Sequence, residues 1–274
     1  PLVNDVIKEV SRITAKPVSI SWGYTHQLAK NPEATYRMAI SGSMEEVRQA
    51  ASMIHSPPIS LMYADVEGNI AWWSMAKIAI RPDHVNTKIF LDGASGKDEI
   101  IEYLDFSRNP HMVNPPSGVI ITANNQPAEF KGFLHPGYFL PASRYERLHR
   151  MISEKELWNS EELGLLMLDH TNASYDTLCH LLLNQLQTSQ YPELQDILNT
   201  WSGTHHINDL APGIFYVWLN KIMYHSCADE FGDEFYAVWL KNHMIKRSYL
   251  KFIRYEDNPW WDNVHTKYKE SKQD

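Results

Sequence analysis

The chain has 274 residues, of which 43% are hydrophobic and 12% aromatic, enough apolar mass to bury a full core in one large domain or two small ones. Its formal charge of −8, from 25 basic and 33 acidic residues dispersed along the sequence, offers no basic footprint for a nucleic-acid backbone or an anionic membrane, so neither is an expected partner. No stretch approaches the roughly 18 apolar residues of a membrane span, which leaves small molecules and other proteins as partners.

Read from the amino terminus, residues 18–22 alternate apolar and polar side chains and predict a strand. Residues 43–55 predict a helix: Met44, Val47, Ala50, Ala51 and Ile54 fall on one face, Ser43 is placed to cap it, and Glu46 sits three residues later to complete a capping box. A hairpin follows, with strands over 61–64 and 69–80 and a turn over 65–68, where Gly68 stands at the position that wants a positive φ. Asn109-Pro110 and Asn114-Pro115-Pro116 punctuate an irregular stretch, and residues 119–123 form a short apolar run, read as a strand ending at the pair Asn124-Asn125.

From Ser143 onward the period changes to that of helices. Apolar residues recur as Leu148, Met151 and Ile152; Leu163, Leu166 and Met167; Leu178, Leu181 and Leu182; Phe215, Trp218, Leu219 and Ile222; and Phe235, Val238 and Trp239. The main interruption lies over 203–212. Strands first and helices second predict an α+β fold, with residues 1–142 sheet-rich and 143–274 a helical layer. Cys179 and Cys227 lie inside apolar periodic stretches and read as small buried hydrophobes, with one disulfide possible but not implied.

Common catalytic and metal signatures are missing from the sequence. Residues 93–96, Gly-Ala-Ser-Gly, have the wrong spacing for a nucleophile elbow, and there is neither a phosphate-binding glycine loop nor a Cys-x-x-Cys pair. Among thirteen histidines, the nearest cluster is His205, His206, Asp209 and His225, whose spacing matches no zinc pattern, so no metal site is expected. Nine tryptophans and fourteen tyrosines admit a non-catalytic ligand-binding or scaffold module as an alternative. Trp218 and Trp239, however, stand at helical core spacing.

Three segments carry a sharper signal: residues 59–70 (Ile-Ser-Leu-Met-Tyr-Ala-Asp-Val-Glu-Gly-Asn-Ile), 114–118 (Asn-Pro-Pro-Ser-Gly) and 119–127 (Val-Ile-Ile-Thr-Ala-Asn-Asn-Gln-Pro). Together they resemble the large subunit of penicillin acylases and of their relatives that cleave acyl-homoserine lactones, within the N-terminal nucleophile hydrolases. Residues 14–22 and 141–148 extend the resemblance. It implies part of an αββα sandwich, strands in the first half and a helical layer in the second. The implied reaction is amide-bond hydrolysis of an acyl-amine substrate through an acyl-serine intermediate, with the serine's own α-amino group as base.

That serine opens the family's large subunit well ahead of these motifs, so no nucleophile is expected in this chain. Taken alone, the chain is expected to be an inactive interior part, with the upstream part of the large subunit and the small subunit as missing partners. The family's oxyanion-hole asparagine falls on Asn124, a side-chain amide that donates hydrogen bonds without carrying charge. Its orienting arginine falls on Arg144, with Arg147 one turn later as the alternative. Ile59 falls where the family lines the acyl pocket, and is otherwise ordinary strand core. Tyr63, Asp65 and Asn69 read as hairpin architecture. No cofactor is implied. Some relatives hold a structural calcium, but Lys88 and His135 stand at two of its ligand positions and neither suits a hard, oxygen-seeking cation. The family's location is periplasmic or outside the cell.

Overall fold

Polar side chains at the ends of short strands organise the first half of this protein, whereas apolar helix faces organise the second. A computed structural model describes residues 3–4, 6–26, 30–130, 132, 134–186, 190–241 and 248–271. The chain divides into two compact units, Pro1–Ile120 with Pro127–Tyr138, and Ile121–Gln126 with Phe139–Asp274. Residues 121–126, which include Asn124, thus belong with the helical part of the chain.

In the first unit, helices α1 (Lys8–Ile13), α2 (Gly23–His26), α3 (Asn31–Ile40) and α4 (Met44–Ala51) precede the hairpin of β1 (Ile59–Ala64) and β2 (Ile70–Met75). The cap before α4 forms as the sequence predicts, the Ser43 side chain accepting from the Glu46 N–H at 3.3 Å. The reciprocal half of the box is displaced by one residue, because the Glu46 carboxylate accepts from the Gly42 N–H at 2.7 Å. α4 ends at Ala51, short of residue 55, and buries Val47, Ala50 and Ala51, with Val47 joining Ala71 and Trp73 of β2 in one cluster and Ala51 joining Met75 in another. No strand forms over residues 18–22. Val18 instead pairs with the amino-terminal turn, donating to Asn4 Oδ1 at 2.7 Å and accepting from the Val3 N–H at 2.9 Å, while Ile20 and Trp22 stand exposed.

The turn at 65–68 is built as read. Gly68 takes φ 86°, and the Asp65 carboxylate accepts from the backbone of Glu67 and Asn69, the Asn69 amide and the Tyr63 hydroxyl. The strand expected over 69–80 is interrupted, continuing as β3 (Ala79–Ile80), which pairs with β4 (Glu102–Tyr103) in a separate two-stranded sheet. Within the stretch read as irregular, β5 (His111–Val113) adds a third antiparallel strand beside β2, placing Ala71 opposite Val113 and Trp73 opposite His111. Two asparagines fasten it. At one end Asn109, 1% exposed, donates from Nδ2 to the carbonyls of Ser74 and Ala76. At the other, Asn114 accepts from the Ile70 N–H at 2.9 Å and donates to the Asn69 side chain, with φ 43°.

The second unit holds α5 (Ser143–Ile152), α6 (Ser160–Met167), α7 (Ala173–Leu183), α8 (Pro192–Asn199), α9 (Ala211–Leu240) and α10 (Tyr249–Arg254). α9 changes direction at Gly232, whose φ of 70° and ψ of 156° are not helical. The core joins α7, α8, α9 and α10 through Leu178, Leu198, Phe215, Leu219, Met223 and Ile253. Burying one side chain of the size of Phe215 stabilises the fold by about 1.5–3 kcal/mol. Both cysteines are free and buried here, and burial pushes the Cys179 thiol up to about 11 and that of Cys227 to about 12. The helical periodicity reads the elements correctly and their burial only in part: Leu166 is buried, but Met167 and Val238 are exposed. Among the described residues, no helix is long and apolar enough to cross a membrane.

Candidate active site

The apolar run 119–123 does not form a ladder. It reaches Asn124 without regular structure, and the backbone pairing begins one residue later in a parallel bridge between Asn125 and Leu140. Asn124 has φ 60°, a left-handed conformation that asparagine tolerates better than most residues. Its carbonyl accepts from the Leu140 N–H at 2.8 Å, and four residues on, Arg144 in the first turn of α5 returns to the same place. The Arg144 guanidinium donates to the Ala123 carbonyl at 2.7 Å and to Asn124 Oδ1 at 2.8 Å.

Those two contacts fix the asparagine amide. Arginine has donors only, so the atom facing it must be the oxygen, and the NH₂ group of Asn124 is turned away from Arg144. Among the described residues that NH₂ has no hydrogen-bond acceptor, and the Asn124 side chain is exposed. Its neighbour is engaged locally: Asn125 Oδ1 accepts from the Ala123 N–H at 3.1 Å and its amide donates to the Gln126 carbonyl. The two arginines of α5 also differ. Arg147 forms a bidentate pair with Asp169 at 2.7 and 3.0 Å, which holds the Asp169 carboxyl below its usual range and raises the guanidinium. Arg147 is therefore committed to the start of the α6–α7 connection, and Arg144 is the one aimed at Asn124. Nothing in the sequence announced Asp169 as that partner, since it lies on a different element.

Ile59 opens β1 opposite Met75, is 45% exposed, and belongs to the first unit, whereas Asn124 and Arg144 belong to the second. Lys88 and His135 are engaged elsewhere. The Lys88 carbonyl accepts from the Tyr138 hydroxyl at 3.0 Å. His135 is buried, its Nδ1 against the Pro136 carbonyl at 2.8 Å and its Nε2 against Ser74 Oγ at 3.1 Å. Nδ1 therefore carries the proton, and burial lowers the imidazole below its ordinary value. His205 is similarly occupied, by the His170 carbonyl at 3.2 Å and the Tyr216 hydroxyl at 2.8 Å, while the His206 N–H donates to Asp209. Among the described residues, no group of three or more histidine, cysteine or acidic side chains is placed to hold a metal ion.

The result is a neutral amide whose orientation is fixed by an arginine from a helix start. The fold carrying it is that of the N-terminal nucleophile hydrolases. Over 81% of the chain it matches a thermostable penicillin G acylase from Alcaligenes faecalis with a TM-score of 0.62 at 20% identity, covering 44% of that chain. The penicillin amidase family model matches residues 1–274, and the chain belongs to that family. It is 27% identical to penicillin G acylase of Escherichia coli over 210 residues, 69% of this chain and 24% of that protein. It is 20% identical to the acyl-homoserine lactone acylase QuiP of Pseudomonas aeruginosa over an alignment of 303 positions, covering 99% of this chain and 35% of that protein. The chain thus spans 24% and 35% of the length of these two proteins.

Proposed function

We propose that this chain forms part of an amide-bond hydrolase that cleaves an acyl-amine substrate through an acyl-serine intermediate, the N-terminal serine nucleophile coming from outside these 274 residues. The observation that carries the reading is the Asn124 amide, its oxygen held by Arg144 and its NH₂ without an acceptor among the described residues. As the serine hydroxyl attacks the substrate carbonyl, negative charge gathers on its oxygen. A fixed neutral donor stabilises that charge without reorganising, an effect commonly worth about 100-fold or more in rate. Arg144 acts as a positioning residue, and its charge adds a favourable field. Ile59 contributes to the acyl pocket in this reading. Serine, α-amino base and a backbone oxyanion donor lie in the upstream part of the large subunit, which together with a small subunit completes the enzyme. By its family the complete protein is exported to the periplasm or beyond.

The test is made on the complete protein purified from its native host. Intact mass and N-terminal sequencing of the mature large chain, alongside an acyl-amide hydrolysis assay, should find a leading serine whose replacement by alanine abolishes turnover. A mature chain without such a residue, inert toward acyl amides, would replace the hydrolase with a binding or scaffold role on the same fold.

A further inference from the structure

A cleft of about 240 Å³ lies within the helical unit, lined in part by Ser143, Glu146, Ser174, Tyr175, Leu178 and Tyr249. It is distinct from the Asn124 site although the two share a stretch of chain. At about 100° per residue, Glu146 lies roughly 160° around α5 from Arg144, so the helix turns one side to Asn124 and another to this cleft.

Its chemistry is unusual for a packing defect. Tyr249 is only 7% exposed, yet among the described residues its hydroxyl has no hydrogen-bond partner, and neither does that of Tyr175. The Tyr175 ring is clamped by Phe215 and Tyr216, so its hydroxyl has little freedom to seek a partner elsewhere. Burial raises both phenols above their ordinary value, so they are protonated and able to donate. α5 begins here without a side-chain cap, since Ala142 occupies the capping position, and leaves its first N–H groups open. Ser143 and Ser174 bring two further hydroxyls. Against these donors stands one carboxylate, that of Glu146, which forms no ion pair among the described residues. Leu178 and Leu250 supply an apolar wall.

A simple anion would meet the donors but be repelled by Glu146. A simple cation would pair with Glu146 and leave the hydroxyl donors of the cleft unused. A ligand carrying both charges satisfies both sides. We infer that this cleft binds a free α-amino acid with an apolar side chain, its carboxylate on the tyrosine and serine hydroxyls and the start of α5, its ammonium on Glu146, and its side chain on Leu178 and Leu250. The volume, below the range of about 300–1,000 Å³ typical of larger ligands, suits a molecule of that size. The inference does not rest on the hydrolase reading, because among the described residues no hydrogen bond joins these side chains to Ala123 or Asn124.

Isothermal titration of the complete protein with L-phenylalanine, L-phenylalaninamide and N-acetyl-L-phenylalanine decides it. Saturable binding of the free amino acid is expected, with each blocked analogue about tenfold weaker or more. Glu146→Gln and Tyr249→Phe should each weaken phenylalanine by a similar factor, and Asn124→Gly should leave it unchanged. Equal binding of all three compounds, no saturation at millimolar concentration, or wild-type affinity in Glu146→Gln would overturn the proposal. Glu146 is exposed and outside the core, so that variant remains informative even if Tyr249→Phe folds poorly.

Discussion

Two asparagines, one in each unit, adopt the same left-handed backbone and do opposite things with their side chains. Asn114, at φ 43°, has its oxygen on the Ile70 N–H and its NH₂ on Asn69, so both ends of the amide tie β5 to the hairpin. Asn124, at φ 60°, has its oxygen on Arg144 and its NH₂ without an acceptor among the described residues. The difference separates an amide committed to the fold at both ends from one committed at its oxygen alone among the described residues. It does so by hydrogen-bond accounting, where residue type and backbone conformation are the same.

Substitutions at the two positions should therefore part company. The largest effect is expected at Asn124→Gly in the complete protein, which keeps the left-handed backbone without strain and removes only the amide. Turnover of an acyl amide should fall by about 100-fold or more with the melting temperature little changed. Wild-type turnover in that variant would remove Asn124 from the site. In the same unit, Gly203→Ala tests what holds the helical layer rather than the amide. Gly203 has φ 80°, its carbonyl accepts from the Asn172 N–H at 2.8 Å, and an added Cβ would lie 2.4 Å from the Asn172 carbonyl oxygen at the capped start of α7. A loss of about 2 kcal/mol or more in chemical denaturation is expected, part of it the cost of a left-handed non-glycine.

Asn114→Ala should show the reverse of Asn124→Gly: a loss of about 1–2 kcal/mol in stability and unchanged turnover per folded molecule. A drop in turnover at full stability would dissolve the contrast. The smallest effect is the pH dependence that His135 adds in the first unit. Burial holds His135 below its ordinary value, so the unfolded chain takes up a proton there before the folded one does. Its contribution is complete above about pH 6.5 and is lost as pH falls below that. Melting temperatures between pH 8 and 5 should therefore decline less steeply in His135→Gln than in the wild type. His55, also lowered by burial, contributes with the same sign and stays constant in that comparison.

Local chemistry made part of this molecule readable. Ser43 and Glu46 announced α4, Asp65 and Gly68 the hairpin turn, and the apolar spacing after Ser143 the helices, because each of those signals is satisfied within a few residues. β5 escaped because prolines at 110 and 115 bracket it and because the asparagines that fasten it bond to residues far away in sequence, Asn109 to Ser74 and Asn114 to Ile70. Residues 18–22 and 119–123 failed for the complementary reason: alternation or an apolar run describes a strand's faces, and a strand also needs a continuous ladder with a neighbour. The pairing of Asn124 with Arg144 was legible only through resemblance to a family, since twenty intervening residues carry no local rule that would join them. The cleft beside Glu146 gathers side chains from α5, α7 and α10 and had no sequence signal at all.

Asn124 and Arg144 stand at the two sides of a neck. The Asn125–Leu140 bridge closes it, and residues 127–138 between them belong to the other unit. Such a loop is a natural place for length to vary. Once its ends are fixed, doubling it costs only about 0.6 kcal/mol in closure entropy. Residues can thus be added or removed there at little entropic cost while the Asn125–Leu140 bridge and the Asn124–Arg144 contact keep their register, so a fixed piece of geometry sits at the ends of a segment whose length is cheap to change.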